Sequence, residues 1–138
     1  MHRRAGSPDV VEFHGNLFDN RCVVKCCVTD TADLEAEVPA CPGCGGMLRT
    51  GVVCFGESIP PLALETAAAA AADCDVFRSI GTSSLVWPAA GLGKSAKQGG
   101  ATLIEVNLDA TPLSGHSDFV LQGKSGEIVP ELVHCLAA

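Results

Sequence analysis

Tyrosine is absent from this 138-residue sequence, tryptophan occurs once, and aromatic residues make up only 4% of the chain. Positive charge is also scarce, because nine lysine and arginine residues stand against sixteen acidic ones and leave a formal charge of −7. Such a chain lacks an extended surface for phosphate, so we expect no nucleic acid partner. No apolar run approaches the roughly 18 residues of a membrane span, so we expect no membrane partner.

Cysteine, in contrast, is abundant, with eight in the chain. A disulfide framework normally goes with secretion, but no apolar segment of a signal peptide follows Arg3 and Arg4. We therefore predict a soluble protein of a reducing compartment, the cytoplasm, with the mitochondrion left open. In such a compartment, closely paired cysteines more often bind a metal ion than form disulfides. The 47% apolar content suffices for one modest core and a small satellite module.

The second half of the chain predicts an α/β fold class. From residue 60 onward predicted helices alternate with predicted strands: helices over 62–72, 88–97 and 126–136, strands over 76–80, 101–106 and 118–121. Alternation of this kind favours right-handed crossovers and a parallel sheet, which is part of a doubly wound, Rossmann-like fold. Because three strands are few for such a sheet, we expect an incomplete chain whose exposed sheet edge favours self-association.

Cysteine use divides the chain into two predicted domains. Five of the eight cysteines fall between Cys22 and Cys44, among turns and acidic residues. This concentration predicts a small zinc-ribbon-like module over residues 20–55, with residues 1–19 and 56–138 forming the partial Rossmann-like domain. Three further cysteines lie among apolar neighbours and are predicted to be small core residues: Cys54, Cys74 and Cys135.

Paired cysteines predict a metal site within this module. Cys41 and Cys44 form a C-x-x-C turn with glycine, a motif that supplies two of the four ligands of tetrahedral zinc. The second pair is Cys22 with Cys26, although the adjacent Cys27 competes with Cys26. These four cysteines are the predicted ligands of one Zn²⁺ per chain, which is structural because no coordination position stays open. The alternative is a set of buried or redox-active thiols.

A histidine and two polar strand ends are candidates for chemistry. His14 follows a short strand-like run and precedes Gly15, where the chain can turn and expose the ring, although a lone histidine is usually an ordinary polar residue. Ligands of open α/β sheets bind at the carboxyl ends of strands. Residues 81–84 end one predicted strand, and Asn107 and Asp109 follow the next, so they can offer amides and hydrogen bonds to phosphate or ribose. Either segment could equally be a turn.

Several segments, in this order, resemble the sirtuins, which are NAD-dependent protein lysine deacylases with a Rossmann domain and a smaller zinc module. The matching segments, besides the cysteine pairs, are His2-Arg3-Arg4-Ala5-Gly6-Ser7, Glu12-Phe13-His14-Gly15-Asn16, Val52-Val53-Cys54-Phe55-Gly56-Glu57, Gly81-Thr82-Ser83-Ser84 and Glu105-Val106-Asn107. The resemblance covers essentially the whole chain. It is specific as a set, although no single motif would be.

The resemblance implies an activity and assigns residues to it. The activity is removal of an acyl group, of acetyl or succinyl type, from lysine, with release of nicotinamide and O-acyl-ADP-ribose. It makes His14 the catalytic base, NAD the co-substrate and acylated-lysine proteins or peptides the partners. The implied NAD contacts are Gly81, Thr82, Ser83, Asn107, Leu108, Asp109 and Ser125. The implied substrate-peptide contacts are Val53, Phe55, Gly56 and Glu57, through strand addition.

The sequence also departs from the sirtuin pattern. Three residues separate Cys22 from Cys26 where the family usually has two, and Cys54 stands where a bulky aromatic residue is common. The family's N-terminal Gly-Ala-Gly and Gln-Asn-Ile-Asp motifs have no counterpart. We therefore expect the C-terminal portion of a sirtuin, with weak or no activity alone. The alternatives are a non-catalytic zinc-bearing peptide-binding module and a zinc-ribbon redox protein.

Overall fold

The computed structural model describes residues 2–24, 28–29 and 37–137. The chain divides into two compact units, Met1–Ala63 and Leu64–Ala138. Within the described ranges, no helix has the length and apolar character needed to cross a membrane. The domain boundaries expected from the cysteine distribution remain a prediction.

The first unit contains a small antiparallel sheet. Its strands are β1 (Asn20–Cys22), β2 (Val28–Thr29) and β3 (Leu48–Thr50), in the order β2-β1-β3. Cys22 lies opposite Leu48 in the register of β1 and β3, and these two residues form a buried cluster with Cys41. Because two of the three residues in this cluster are cysteines, the apolar interior formed by the described residues of the module is small for independent stability.

The second unit is built on a parallel sheet. It comprises most of α1 (Pro61–Ala72), followed by β4 (Val76–Ile80), α2 (Ala89–Gln98), β5 (Thr102–Asn107), β6 (Phe119–Gln122) and α3 (Ser125–Ala137). The strand order is β4-β5-β6, and both neighbouring pairs are parallel. This arrangement confirms the α/β class with a partial, Rossmann-like parallel sheet. The carboxyl ends of all three strands therefore meet at one edge.

Alanine allows the helices to pack closely on this sheet. Ala71 of α1, Ala96 of α2 and Ala101 before β5 are buried together, and Phe77 and Leu92 pack against them. The central strand β5 has the most buried side chains, including Leu103 and Val106 with no exposed surface. Small side chains at these contacts allow α2 to pack directly against β4 and β5.

The predicted helices and strands of this unit all occur, and their ends differ from the prediction by at most one residue, as expected where helices and strands fray. The core assignment of the outlying cysteines is partly wrong. Cys74 is half-buried and packs against the alanine cluster, but Cys54 and Cys135 are exposed. Cys54 lies in a tight surface turn, and Cys135 lies on the outer side of α3, so apolar neighbours in sequence do not bury either thiol.

Candidate functional site

Three of the four predicted zinc ligands are brought together by the first unit. The sulfur atoms of Cys22, Cys41 and Cys44 all lie within 4.8 Å of one another, and those of Cys22 and Cys44 are 3.4 Å apart. Strand β1 supplies Cys22, whereas a tight turn supplies the other two, because the N–H groups of Cys44 and Gly45 both bond to the Cys41 carbonyl. The predicted Cys26 and its competitor Cys27 lie outside the described residues.

The sulfur cluster fits a tetrahedral thiolate site. Zinc–sulfur bonds of about 2.3 Å place neighbouring sulfurs about 3.8 Å apart, close to the separations present here. The Gly46 backbone N–H lowers the pKa of the Cys44 thiol, but Cys22, burial and Cys41 outweigh it and raise that pKa above its ordinary value. Neighbouring thiols thus disfavour the ionised form of one another. A divalent cation bound among them would favour the thiolate form instead.

His14 lies in a loop that hydrogen bonds hold on both sides. The His14 ring is exposed, and the Phe13 ring meets it edge-on with centroids 5.2 Å apart. Before it, Glu12 accepts a hydrogen bond from Asn16 Nδ2 at 3.0 Å and pairs with Arg3 at 3.0 Å. The backbone is therefore fixed while the imidazole stays open to solvent, which suits a group that must reach a ligand.

The His14 loop is joined directly to the segment that resembles the substrate strand. The Val53 N–H donates to the His14 carbonyl at 2.9 Å. Gly15 makes this approach possible, since its φ is +75° and a Cβ atom there would overlap the Gly51 carbonyl oxygen. Two site residues predicted from the sequence, His14 and Val53, are thus joined by a backbone hydrogen bond.

The remaining predicted peptide contacts form a surface turn over residues 54–57. The Glu57 carboxylate accepts the Cys54 N–H at 2.9 Å and a hydrogen bond from Arg49 at 2.7 Å. The Cys54 amide and then Arg49 hold the pKa of Glu57 below its ordinary range. Phe55 is 94% exposed at the tip, and Gly56 has a φ of +86°. The carboxylate therefore shapes the turn, and the turn presents Phe55 outward.

In the second unit, Asn107 connects the carboxyl ends of all three parallel strands. Its Nδ2 donates to the Thr82 carbonyl at 2.6 Å after β4, and its own carbonyl accepts the Gly123 N–H at 2.8 Å after β6. Its Oδ1 accepts the Leu108 N–H at 2.9 Å. Gly81, with a φ of +64°, bonds through its N–H to Val106. Residues predicted from separate segments thus share one edge.

Three other predicted residues lie around the same edge. Thr82 Oγ1 accepts the Ser84 N–H, which leaves Ser83 exposed at the tip of the loop. Asp109 is exposed two residues beyond β5, and Ser125 is the first residue of α3. A helix N-terminus that adjoins exposed hydroxyls and amides is a favourable environment for an anionic group.

Comparison with known proteins identifies the family. A model of the Sir2 family matches residues 1–88. The chain belongs to the Sir2 family. An NAD-dependent protein deacylase of Pyrococcus furiosus is 39% identical over 141 residues, which cover 96% of this chain and 56% of the relative. One of Ralstonia nicotianae is 44% identical over 134 residues, covering 96% and 54%. The chain thus spans little more than half the length of these relatives.

Solved structures of Sir2 proteins agree with this assignment. A crystal structure of a Sir2 homolog–NAD complex matches with a TM-score of 0.92 at 41% identity, covering 99% of this chain and 54% of that one. A structure of Sir2 with a p53 peptide and NAD⁺ matches with a TM-score of 0.90 at 30% identity, covering 99% and 59%. The resemblance to sirtuins and the predicted fold class are both confirmed.

Sequence reasoning missed one residue in each unit that supports the predicted site residues of that unit. Arg49 binds Glu57 and also donates to the Cys54 sulfur at 3.3 Å. Gln122 donates from Nε2 to the Leu108 carbonyl at 2.9 Å and so supports the loop after β5. The spacing of Arg49 and Glu57, eight positions apart, matches no helix or strand period and could not have predicted their contact. The position of Gln122 at the end of a predicted strand could have marked it as a candidate.

Proposed function

We propose that the protein carrying this chain is an NAD-dependent protein lysine deacylase, of deacetylase or desuccinylase type, that releases nicotinamide and O-acyl-ADP-ribose. The observation that carries the proposal is the hydrogen bond between the Val53 N–H and the His14 carbonyl. It holds an exposed imidazole beside the segment that resembles the peptide-binding strand. A base and an acyl-lysine must be neighbours for this reaction.

In this proposal His14 is the general base. An imidazole can take up a proton near neutral pH, and the fixed backbone on both sides of His14 limits the positions that its ring nitrogen can occupy. The exposed ring leaves room for the hydroxyl whose proton it removes. Phe13, packed edge-on against the ring, restricts its rotation.

The acylated peptide binds along the segment from Val53 to Glu57 by strand addition. Glu57 takes no part in chemistry, because its carboxylate is already bonded to Arg49 and the Cys54 amide. Its role is to keep the turn closed so that Phe55 and Gly56 face the substrate. Val53 continues the strand towards His14.

The edge organised by Asn107 binds NAD, which when bound supplies the ribose carbon that accepts the acyl oxygen as nicotinamide leaves. Gly81, Thr82 and Ser83 offer amides and hydroxyls, and Asn107 keeps their loop in place through Thr82. Leu108, Asp109 and Ser125 complete the predicted set. The α3 N-terminus at Ser125 favours negative charge nearby.

Zinc in this proposal is structural and is held by Cys22, Cys41 and Cys44, with Cys26 as the fourth ligand. The fit rests on the mutual distances of the three described sulfurs. Four thiolates leave no open coordination position, so the ion stabilises the small unit rather than entering the reaction. Thiolate ligands require reduced cysteines, which favours a reducing compartment, the cytoplasm.

The decisive test is nicotinamide release from NAD and an acetyl- or succinyl-lysine peptide by the protein that carries this chain. We expect His14→Ala to lower kcat by about 10²–10⁴-fold, the usual contribution of a general base, with peptide binding preserved. The 138-residue chain alone is expected to release little. Peptide binding without any turnover in the longer protein would favour the zinc-bearing peptide-binding module instead.

We also propose that the isolated chain self-associates with a second copy through an outer strand of its sheet. Val76 of β4 is 49% exposed and Val120 of β6 is 47% exposed, so both outer strands carry apolar surface. Unpaired strands with exposed apolar side chains readily pair with another chain. Sedimentation velocity should show a dimer that Val76→Lys or Val120→Lys disrupts, and a monomer in the unmodified chain would refute the proposal.

A further inference from the structure

A small cavity of ≈ 120 Å³ lies at the start of α2, within the second unit. Trp87, Ala90 and Lys94 form one wall, and Pro112 and Leu113, from the loop after β5, form another. The residues of the first wall recur every three or four positions, so they lie on one face of the helix and its leading turn. Ser84, which directly follows the loop residues proposed to contact NAD, also lines the cavity, but the two walls have no role in the proposed deacylase reaction.

The Trp87 indole rests on the helix because Gly91 has no side chain. A Cβ atom on Gly91 would lie 2.7 Å from an indole carbon, so glycine at this position allows the ring to contact the helix backbone. Although 70% exposed, the ring therefore lies along α2 and closes one side of the cavity. Because the opposite wall is Pro112 and the buried Leu113, the interior is mainly apolar.

Lys94 is the one charged residue that lines the cavity, and it is half-buried. In the parts of the chain that the structure describes, four ion pairs occur and Lys94 belongs to none of them. Its neighbour on α2, Lys97, binds Asp118. A half-buried lysine beside apolar walls attracts an anion more strongly than a fully exposed lysine does.

We propose that this cavity binds a small carboxylate with a compact apolar body. A cavity of about 150 Å³ holds a benzene ring, so this space accepts a body of about four to six carbon atoms. One ammonium matches the single charge of a carboxylate, and the Ser84 hydroxyl offers at most one further donor, whereas phosphate binds best to several donors. This inference is independent of the deacylase proposal.

The test uses the 138-residue chain and isovalerate, a branched carboxylate that does not absorb with tryptophan. Trp87 is the only tryptophan and the chain has no tyrosine, so its emission reports on the cavity directly. We expect a saturable change with a Kd on the order of millimolar, as suits so small a ligand. Acetate, which lacks the apolar body, and isovaleramide, which lacks the charge, should both bind several-fold more weakly.

Two variants and one control decide the assignment. Lys94→Gln should abolish the preference for isovalerate over isovaleramide, whereas Lys124→Gln, just before α3, should leave it unchanged. Ala90→Leu places a larger side chain in the cavity and should remove binding of both isovalerate and isovaleramide. Because leucine is a good helix former, the circular dichroism should stay the same. A response that does not saturate, equal binding of isovaleramide, tighter binding of phosphate, or a preference that survives Lys94→Gln would each overturn the proposal.

Discussion

At the scale of single residues, the candidate site of the first unit depends on a close backbone contact at Gly15 that leaves no room for a side chain. The backbone of Gly15 lies against the carbonyl group of Gly51. The φ of Gly15 is +75°, a value that residues with a Cβ atom rarely adopt. Gly6 has a similar φ of +86°, but a Cβ atom added there would meet nothing within 4 Å. A substitution at Gly6 therefore reports the cost of the positive φ alone, whereas one at Gly15 reports that cost together with steric overlap.

Alanine at these glycines should have unequal effects on stability. Gly6→Ala is expected to cost about 1 kcal/mol, the penalty of a left-handed residue. Gly15→Ala should cost at least about 3 kcal/mol, because overlap with the Gly51 carbonyl adds to that penalty. Urea unfolding followed by circular dichroism measures both. Equal losses in the two variants would show that the close approach of Gly51 is not a constraint.

The turn at Glu57 should respond to acid. Because the Cys54 amide and Arg49 lower the pKa of Glu57, its ionised form stabilises the turn at pH values above the ordinary carboxyl range. That stabilisation is lost as the pH falls through the lowered pKa. An NMR titration should find the Glu57 carboxylate titrating at a lower pH than in Arg49→Gln, and the Cys54 amide signal should move with it. No difference between the two proteins would contradict the Arg49 contact.

At the scale of elements, a buried carboxylate holds the loop after β5. Glu105 is 1% exposed, and its two oxygens accept hydrogen bonds from the hydroxyls of Thr111 and Ser114. The Thr111 hydroxyl in turn accepts the Leu113 N–H at 3.0 Å. Through these bonds the central strand fixes the loop that carries Asp109 and borders the cavity.

Removing the Glu105 carboxylate should therefore destabilise the second unit. Glu105→Ala leaves two hydroxyls without their acceptor, and each such loss costs about 1–3 kcal/mol. Glu127→Ala, which removes an exposed partner of Lys124, should cost under about 1 kcal/mol. Urea unfolding monitored by Trp87 emission reports on this unit. Similar midpoints for the two variants would mean that the loop is held by other contacts.

Helix α2 contains two glycines with opposite expected responses. Gly91→Ala should raise stability by up to about 1 kcal/mol through helix propensity, since the displaced neighbour is the movable end of the exposed Trp87 ring. Gly93→Ala should lower it, because Leu113, 3.0 Å from the added Cβ atom, is buried. Thermal unfolding distinguishes the signs, and Gly91→Ala alone should shift the Trp87 emission. Two changes of the same sign would argue against these contacts.

The sequence predicted these elements well where the hydrophobic pattern and the residues that end an element agree, as in β4. It also located the polar residues at the ends of two strands. It could not predict that Asn107 bonds to Thr82 and Gly123, because those bonds join segments that are distant in the chain. Burial of Glu105 was also unpredictable, since a charge within an apolar strand pattern signals exposure until its hydroxyl partners are in place. Local pattern thus defines elements, and tertiary contacts define the site.

At the scale of the whole molecule, the two units should differ in their dependence on metal. Among the residues that the structure describes, the first unit has a small buried cluster, and two of its members, Cys22 and Cys41, are predicted ligands. The second has a separate core of alanine, leucine and valine around a parallel sheet. Binding energy at a structural zinc site is folding energy, so the ion should support the first unit alone.

Chelation should therefore unfold one unit and spare the other. We expect one zinc per chain by metal analysis, and its removal, or the double change Cys41→Ser and Cys44→Ser, should increase amide exchange around β1 and β3 while β4 and β5 stay protected. Cys135→Ser, which removes an exposed thiol on α3, should leave both zinc content and exchange unchanged. Protection that persists around β1 and β3 in the metal-free chain would show that the sulfur cluster is dispensable, because a small core must then fold the unit unaided.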